Sequence, residues 1–133
     1  MERAVVEAMI TDPKTLASDA TVGEVRAAFA NEHVHMVLLA DAGILRGTLL
    51  RQDLGDARDG DPARALAVLA GRTIHPSASA ELARRTLVAS DARRLAVVAE
   101  DGVLVGLLCL KRRRTGFCSD DDLRARSGGA VRG

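Results

Sequence analysis

Apolar residues along the chain fall into short runs that return in a fixed order. Residues 36–39, 44–50, 95–98 and 103–110 are mainly apolar, and each run is short enough to be one strand. A turn sequence with an acidic residue and a glycine separates the first run from the second, and another separates the third run from the fourth. Acidic-Gly turns between apolar runs predict two β-hairpins.

Each predicted hairpin follows a segment that favours a helix. Val22, Val25 and Phe29 are spaced i, i+3 and i+7, with charged residues between them, which predicts one buried helical face. The apolar pattern over residues 82–87 is less regular. Short polar residues suited to N-capping precede both segments: Asp19 or Thr21 in the first, and Ser77 or Ser79 in the second.

The two halves of the chain are copies of one unit, which predicts a tandem repeat. The glycines Gly47 and Gly106 correspond at an offset of 59, whereas the extended segments that begin at Thr15 and Thr73 correspond at an offset of 58. One residue is therefore inserted in the second copy, near residues 90–91.

The sequence predicts four parts. Repeat 1 spans residues 8–58, a linker helix lies within residues 59–71, repeat 2 spans residues 72–126, and a Gly-rich tail at residues 127–133 is expected to be disordered. In the linker, Asp61 is the predicted N-cap, Pro62 fits the first helical turn, and Gly71 ends a helix over residues 63–70.

Composition places the chain among ordinary globular proteins. It has 133 residues, of which 47% are apolar and 28% charged, and its formal net charge is +1. This charge gives no general attraction to nucleic acid or to an anionic membrane. With two cysteines, no signal sequence and no apolar run of about 20 residues, we expect a reduced, cytoplasmic protein without a membrane span.

The order of elements resembles the cystathionine β-synthase (CBS) domain pair, or Bateman module, over nearly the whole chain. The resemblance implies an α/β (α+β) fold, in which a tandem pair of β-α-β-β-α repeats packs about a pseudo-twofold axis and leaves clefts between the repeats. It also implies that these clefts bind an adenosyl compound, either AMP, ADP, ATP or S-adenosylmethionine. Members usually form homodimers.

The family signature reads Gly, two apolar residues, Thr or Ser, two variable residues, Asp and an aliphatic residue. Copy one matches it at Gly47, Asp53 and Leu54, but Leu50 occupies the hydroxyl position. The resemblance makes Asp53 the acceptor for ribose hydroxyls; the N-cap of the next helix is its alternative role, and the two roles are not exclusive. The missing hydroxyl implies a lost phosphate contact and weaker binding.

Copy two departs further from the signature. Counting directly from Gly106 places Cys109 at the hydroxyl position and Arg112 at the acidic position, and arginine accepts no hydrogen bond. We prefer an alignment with an insertion of about ten residues, in which Ser119 and Asp122 complete the signature. The same two residues also suit a capping box, so ligand binding and helix capping both stay open.

Other candidate ligand contacts follow from their places in the repeat. His35 in copy one, and Arg93 and Arg94 in copy two, precede the inner strand, where the family often contacts a ligand phosphate. Arginine suits that role better than neutral histidine. Thr15 and Thr73 complete the set of candidate ligand contacts. For His35, Arg93 and Arg94, the alternative is that the side chain is simply exposed to solvent.

Residues 111–114, one lysine and three arginines, form the densest charge run. It fits a solvated loop, a clamp for a nucleotide polyphosphate or, least well in a nearly neutral chain, a nucleic-acid contact. No zinc spacing is found among the possible ligands: His33, His35, His75, Cys109 and Cys118. We expect no metal and no enzyme, since catalysis by a cysteine needs a partner base that the sequence does not identify.

The sequence thus predicts a stand-alone bacterial regulatory module that senses an adenosyl ligand, forms a homodimer and acts on an unidentified protein. The alternative is a ligand-free scaffold or dimerisation module that mediates protein–protein interaction. Leu50 and the interrupted second signature favour that alternative.

Overall fold

A computed structural model describes residues 3–111 and 116–118. The mixed α+β fold is confirmed, with two β-sheets and three α-helices in the described residues. Ser119, Asp122, Arg112 and the tail from residue 127 lie outside these residues. The elements are α1 (Val5–Ala8), β1 (Ile10–Thr11), β2 (Thr15–Leu16), α2 (Val22–Phe29), β3 (Val37–Asp41), β4 (Ile44–Leu49), β5 (Thr73–Ile74), α3 (Ala80–Ala89), β6 (Arg94–Val98) and β7 (Leu104–Cys109).

The chain divides into two compact units. In the described residues, the first unit contains residues 14–73 and 98–104, and the second contains residues 3–13, 74–97, 105–111 and 116–118. The first unit therefore contains most of predicted repeat 1, the linker and residues 98–104, and the second contains most of predicted repeat 2 with residues 3–13. The repeat bounds at 8–58 and 72–126 stay predictions.

The first unit is built on a three-stranded sheet in the order β2-β3-β4. Strands β3 and β4 are antiparallel, and Ala42 and Gly43 between them have φ values of 51° and 82°. Positive φ at both central residues suits the right-handed twist of a hairpin, so the first predicted hairpin is confirmed. Strand β2 runs parallel to β3.

Helix α2 covers this sheet with the face that the sequence predicts. Val22, Val25 and Phe29 are buried in one apolar cluster with residues of β3 and β4. Of the two predicted N-caps, Thr21 is the one used: its Oγ1 accepts the Glu24 N–H at 3.2 Å, while Glu24 Oε1 accepts the Thr21 N–H at 2.8 Å. This capping box provides acceptors for two backbone N–H groups that have no acceptor within the helix.

The second unit contains a four-stranded sheet in the order β1-β7-β6-β5. Helix α3 is capped by Ser79, whose Oγ accepts the Leu82 N–H at 3.1 Å. It buries Ala80, Ala83 and Leu87, whereas Leu82 is exposed. The inward face thus begins with small residues, which explains why its apolar pattern is weak in the sequence.

The predicted linker helix over residues 63–70 does not form, because only a 3₁₀ turn at Ala63–Ala65 is present. Val68 instead pairs with β4: its N–H donates to Thr48 O, and its carbonyl accepts the Thr48 N–H, both at 2.9 Å. A helix would use the same backbone groups. Nor does Asp61 cap a helix, since its carboxylate accepts the Arg58 N–H at 2.9 Å.

Gly106 lies where a second segment approaches β7 closely. A Cβ at this position would lie 2.5 Å from Met9 Sδ and 2.6 Å from Ile10 O, whereas at Gly60 it would meet nothing within 4 Å. We expect Gly106→Ala to lower the free energy of unfolding by about 1–3 kcal/mol through overpacking, and Gly60→Ala to change it by less than about 0.5 kcal/mol. Urea unfolding measures both, and equal effects would contradict this packing.

Candidate functional site

Asp53 lies in the 3₁₀ turn Arg51–Asp53, directly after β4. Leu50 is the N-cap residue of this turn, with extended backbone angles. The Asp53 carboxylate reaches back and its Oδ2 accepts the Leu50 N–H at 2.7 Å. The predicted N-cap role for Asp53 is therefore wrong, because Leu50 is the N-cap and Asp53 is the third residue of the turn. The Asp53 carboxylate still satisfies the N–H of the N-cap residue, and this bond fixes the side chain against the backbone.

Arg72 binds the Asp53 carboxylate with two nitrogens. Nη1 donates to Oδ2 at 2.6 Å and Nη2 to Oδ1 at 3.2 Å. The side chains are 18% and 14% exposed, respectively. Bidentate pairing of this kind is among the stronger hydrogen-bonded ion pairs in proteins. Arg72 follows Gly71, whose φ of 75° turns the chain before β5.

The environment keeps Asp53 ionised. Burial raises the pKa of this carboxyl, but the Arg72 hydrogen bonds, the Leu50 N–H and the Arg72 charge together lower it below its ordinary value. These partners provide three donors, two on Oδ2 and one on Oδ1. A carboxylate accepts about four hydrogen bonds, so Oδ1 is the oxygen with room for a further donor.

Arg51 fixes the same turn to the end of α2. Its guanidinium donates to the carbonyls of Phe29 at 2.7 Å, Asn31 at 3.2 Å and Val34 at 2.9 Å, and it lies 5.0 Å from the centroid of the Phe29 ring. A cation at a helix C-terminus is favourable, and the ring adds a cation–π contact. Arg51 thereby holds the turn in place, which restricts where Asp53 lies.

Three of the candidate residues lie at the same end of the three-stranded sheet, where β2 and β3 start and β4 ends. Thr15 begins β2 opposite Leu38, and Val37 at the start of β3 pairs with Leu49 at the end of β4. His35 precedes β3 and Asp53 follows β4, so both lie just beyond the paired residues Val37 and Leu49, at this end of the sheet. Thr15 is exposed and His35 is half-buried.

The other described candidates lie on the four-stranded sheet. Arg94 begins β6 and is 8% exposed, so the alternative of solvent exposure is wrong for this residue. Arg93 donates from Nε to Leu110 O at 3.1 Å and accepts the Leu110 N–H at its carbonyl at 2.8 Å. Thr73 begins β5, a strand at the sheet edge, and is exposed.

Residues 3–111 and 116–118 contain no group of three or more His, Cys, Asp or Glu side chains placed to hold a metal ion. Their helices are too short and too polar to cross a membrane.

Sequence reasoning missed both arginines that hold the Asp53 turn. Arg51 occupies a variable position of the signature, so no pattern marks it. Arg72 is 19 residues from Asp53, and Gly71 before it indicates only a turn. The contact of Asp53 with Leu50, three residues back, is the one contact that local capping patterns could have identified.

Comparison with known proteins gives a family and a fold. The CBS domain family model matches residues 5–59 and 70–112, one match in each copy of the repeat. No curated protein matches the sequence.

Solved structures share the fold at low sequence identity. One is a Vibrio cholerae protein assigned to acetoin utilization (AcuB), with a TM-score of 0.72 and 19% identity over 97% of this chain and 93% of that chain. Another is the CBS domain protein PAE2072 from Pyrobaculum aerophilum complexed with AMP, with a TM-score of 0.69 and 21% identity over 84% and 95%. A third is the CBS domain pair of protein MJ0100 in complex with 5-methylthioadenosine and S-adenosylmethionine, with a TM-score of 0.67 and 15% identity over 98% and 100%.

The ion pair between Asp53 and Arg72 should contribute to stability. We expect Asp53→Asn and Arg72→Gln each to destabilise the protein, and the double variant to show a coupling free energy of about 1–2 kcal/mol in a double-mutant cycle. The matched control is the more exposed pair of Glu81 and Arg84, changed to Gln at both positions, for which we expect a much smaller coupling. Similar couplings for both pairs would contradict the special role of Asp53.

The stabilising effect of Asp53 should depend on pH. Because its folded pKa is lowered, its contribution is present above the unfolded pKa of about 4 and is lost as pH falls through the folded value. The difference in free energy of unfolding between the wild type and Asp53→Asn should therefore shrink below pH about 4. Urea titrations from neutral to acidic pH measure it, and a difference that does not change with pH would refute the assignment.

Proposed function

This chain belongs to the CBS domain family, and we propose that it is a regulatory module that binds an adenosyl compound at the turn of Asp53. The main support is the Asp53 carboxylate, which is ionised and is held in place by the Leu50 N–H. It lies at the same end of the three-stranded sheet as Thr15 and His35. Similar folds occur in complex with AMP, and with S-adenosylmethionine and 5-methylthioadenosine.

The hydrogen bonds of Asp53 indicate which oxygen would accept the ribose. Oδ2 is bound by Leu50 N–H at 2.7 Å and Arg72 Nη1 at 2.6 Å, whereas Oδ1 has only the longer bond from Arg72 Nη2 at 3.2 Å. A ribose hydroxyl therefore approaches Oδ1 at the lowest cost. It uses the remaining lone pair there or replaces the bond to Nη2, while the contacts of Oδ2 keep the carboxylate in place.

A displaced Arg72 would leave donors facing the ligand. Guanidinium N–H groups match the oxygens of a phosphate, so Arg72 joins His35 and Thr15 as a proposed contact in the first unit. In the second repeat the predicted contacts are Thr73, Arg93, Arg94, Ser119 and Asp122.

Ligand binding regulates only if it favours one state of the protein over another. We propose a homodimer whose two states differ in affinity for the ligand, and whose change of state is recognised by another protein. In this proposal the chain carries out no reaction. The predicted bacterial, cytoplasmic setting belongs to the same proposal.

The ligand-free scaffold is the second candidate, and the bond between Arg72 and Asp53 favours it. Two of the three donors on the carboxylate come from the protein's own arginine, so the turn is stable without a ligand. Leu50 provides no hydroxyl for a phosphate contact.

Thermal unfolding against AMP, ADP, ATP and S-adenosylmethionine separates the two candidates. A dye must report unfolding because the chain has no Trp or Tyr. A bound ligand at 100 times its dissociation constant adds about 2.7 kcal/mol, which raises Tm by about 10 °C. No increase with any of the four compounds would favour the scaffold.

Asp53→Asn tests the site itself. A hydrogen bond to a charged group contributes about 1.5–3 kcal/mol, so we expect about a tenfold to hundredfold loss of affinity in calorimetric titration. The matched control is Asp56→Asn, the same change at an exposed position in the same segment, which should bind like the wild type. Equal affinity for all three proteins would place the ribose elsewhere.

A further inference from the structure

Cys109, at the end of β7, lies directly opposite Cys118, where residues 109–111 pair antiparallel with residues 116–118. The Cys118 N–H donates to Cys109 O at 2.7 Å, and the Lys111 N–H donates to Gly116 O at 2.8 Å. Between these two bonds, Leu110 pairs with Phe117 in an antiparallel bridge. The register is therefore fixed on both sides, and the two cysteines form a hydrogen-bonded cross-strand pair.

The two sulfur atoms are already in contact. Cys109 Sγ and Cys118 Sγ lie 2.9 Å apart, and the residues are 2% and 7% exposed, in a small cluster with Ile10. Opposed residues of this type have Cα atoms about 5.5 Å apart, within the range of about 4.4–6.8 Å that disulfides span. A bond between the sulfurs therefore requires no change in the path of the backbone.

We propose that Cys109 and Cys118 are a modification site, at which hydrogen peroxide forms a reversible intrachain disulfide. The proposal is independent of ligand binding at Asp53. Cys118 is the less buried of the two residues, so it reacts first when this pairing opens locally.

The reaction is a two-electron oxidation of the two thiols. The Cys118 thiolate attacks one peroxide oxygen, the O–O bond breaks, and the leaving hydroxide takes a proton to become water. Cys109 Sγ then attacks the sulfur of the resulting sulfenic acid. The S–S bond forms as the S–O bond breaks, and the hydroxide leaves with the Cys109 proton as a second water. An added dithiol reduces the disulfide back to the two thiols by thiol–disulfide exchange.

The position of Cys109 determines which product forms. A sulfenic acid that touches a second thiol condenses with it before further peroxide can oxidise it. The bond closes a ring from residue 109 to residue 118, which contains the basic run at residues 111–114. Closing this ring restricts the unfolded chain, so the oxidised protein should be the more stable form.

The test treats the reduced full chain with hydrogen peroxide and counts its thiols after denaturation. We expect the count to fall from two to none, the intact mass to fall by about 2 Da, and peptide mapping to join Cys109 to Cys118 in the monomer. Tm should rise by about 5–10 °C, and dithiothreitol should reverse every change.

Cys109→Ser and Cys118→Ser are the controls. With one thiol left, each variant should gain oxygen or link two chains, without the rise in Tm. The proposal is overturned if wild-type thiols persist in excess peroxide, if mapping finds sulfinic acid in place of the link, or if the bond joins two chains. Mapping of the wild type decides the matter even if neither variant folds.

Discussion

In each copy of the repeat, a glycine without a side chain lets another segment approach the second strand of the hairpin. A Cβ on Gly47 would lie 2.5 Å from the Cβ of Ala67, and one on Gly106 would lie 2.5 Å from Met9 Sδ. The residue after each glycine makes the pairing: Thr48 bonds Val68 of the linker, and Leu107 pairs with Ile10 of β1. The two matched glycines therefore determine which segments complete each unit.

The course of the linker decides the chemistry at Asp53. Because Val68 is paired with β4, the chain that follows passes the turn at the end of that strand, and Arg72 reaches the carboxylate. A linker helix would have placed Arg72 elsewhere and left Asp53 to water or to a ligand. The same pairing thus makes the turn stable by itself and makes Arg72 a competitor for any ribose that binds there.

Local patterns predicted the elements that depend on neighbours in sequence. The turn of the first hairpin, the buried face of α2 and the capping roles of Thr21 and Ser79 were all recognisable, because each depends on residues at most a few positions apart. The helix at residues 63–70 was predicted wrongly because a distant segment determines the backbone there. Its local propensity was overridden by hydrogen bonds to Thr48, which is 20 residues away from Val68.

By itself, the sequence determined the tandem repeat, the order of helix and hairpin in each copy, and Asp53 as the acidic residue of the first signature. Only the tertiary structure decided what that acid contacts, that Arg94 is buried, and that Cys109 meets Cys118. Repeats and turns are local patterns that a linear chain displays directly. An ion pair or a cross-strand contact depends on how distant segments pack, and no spacing along the chain specifies it.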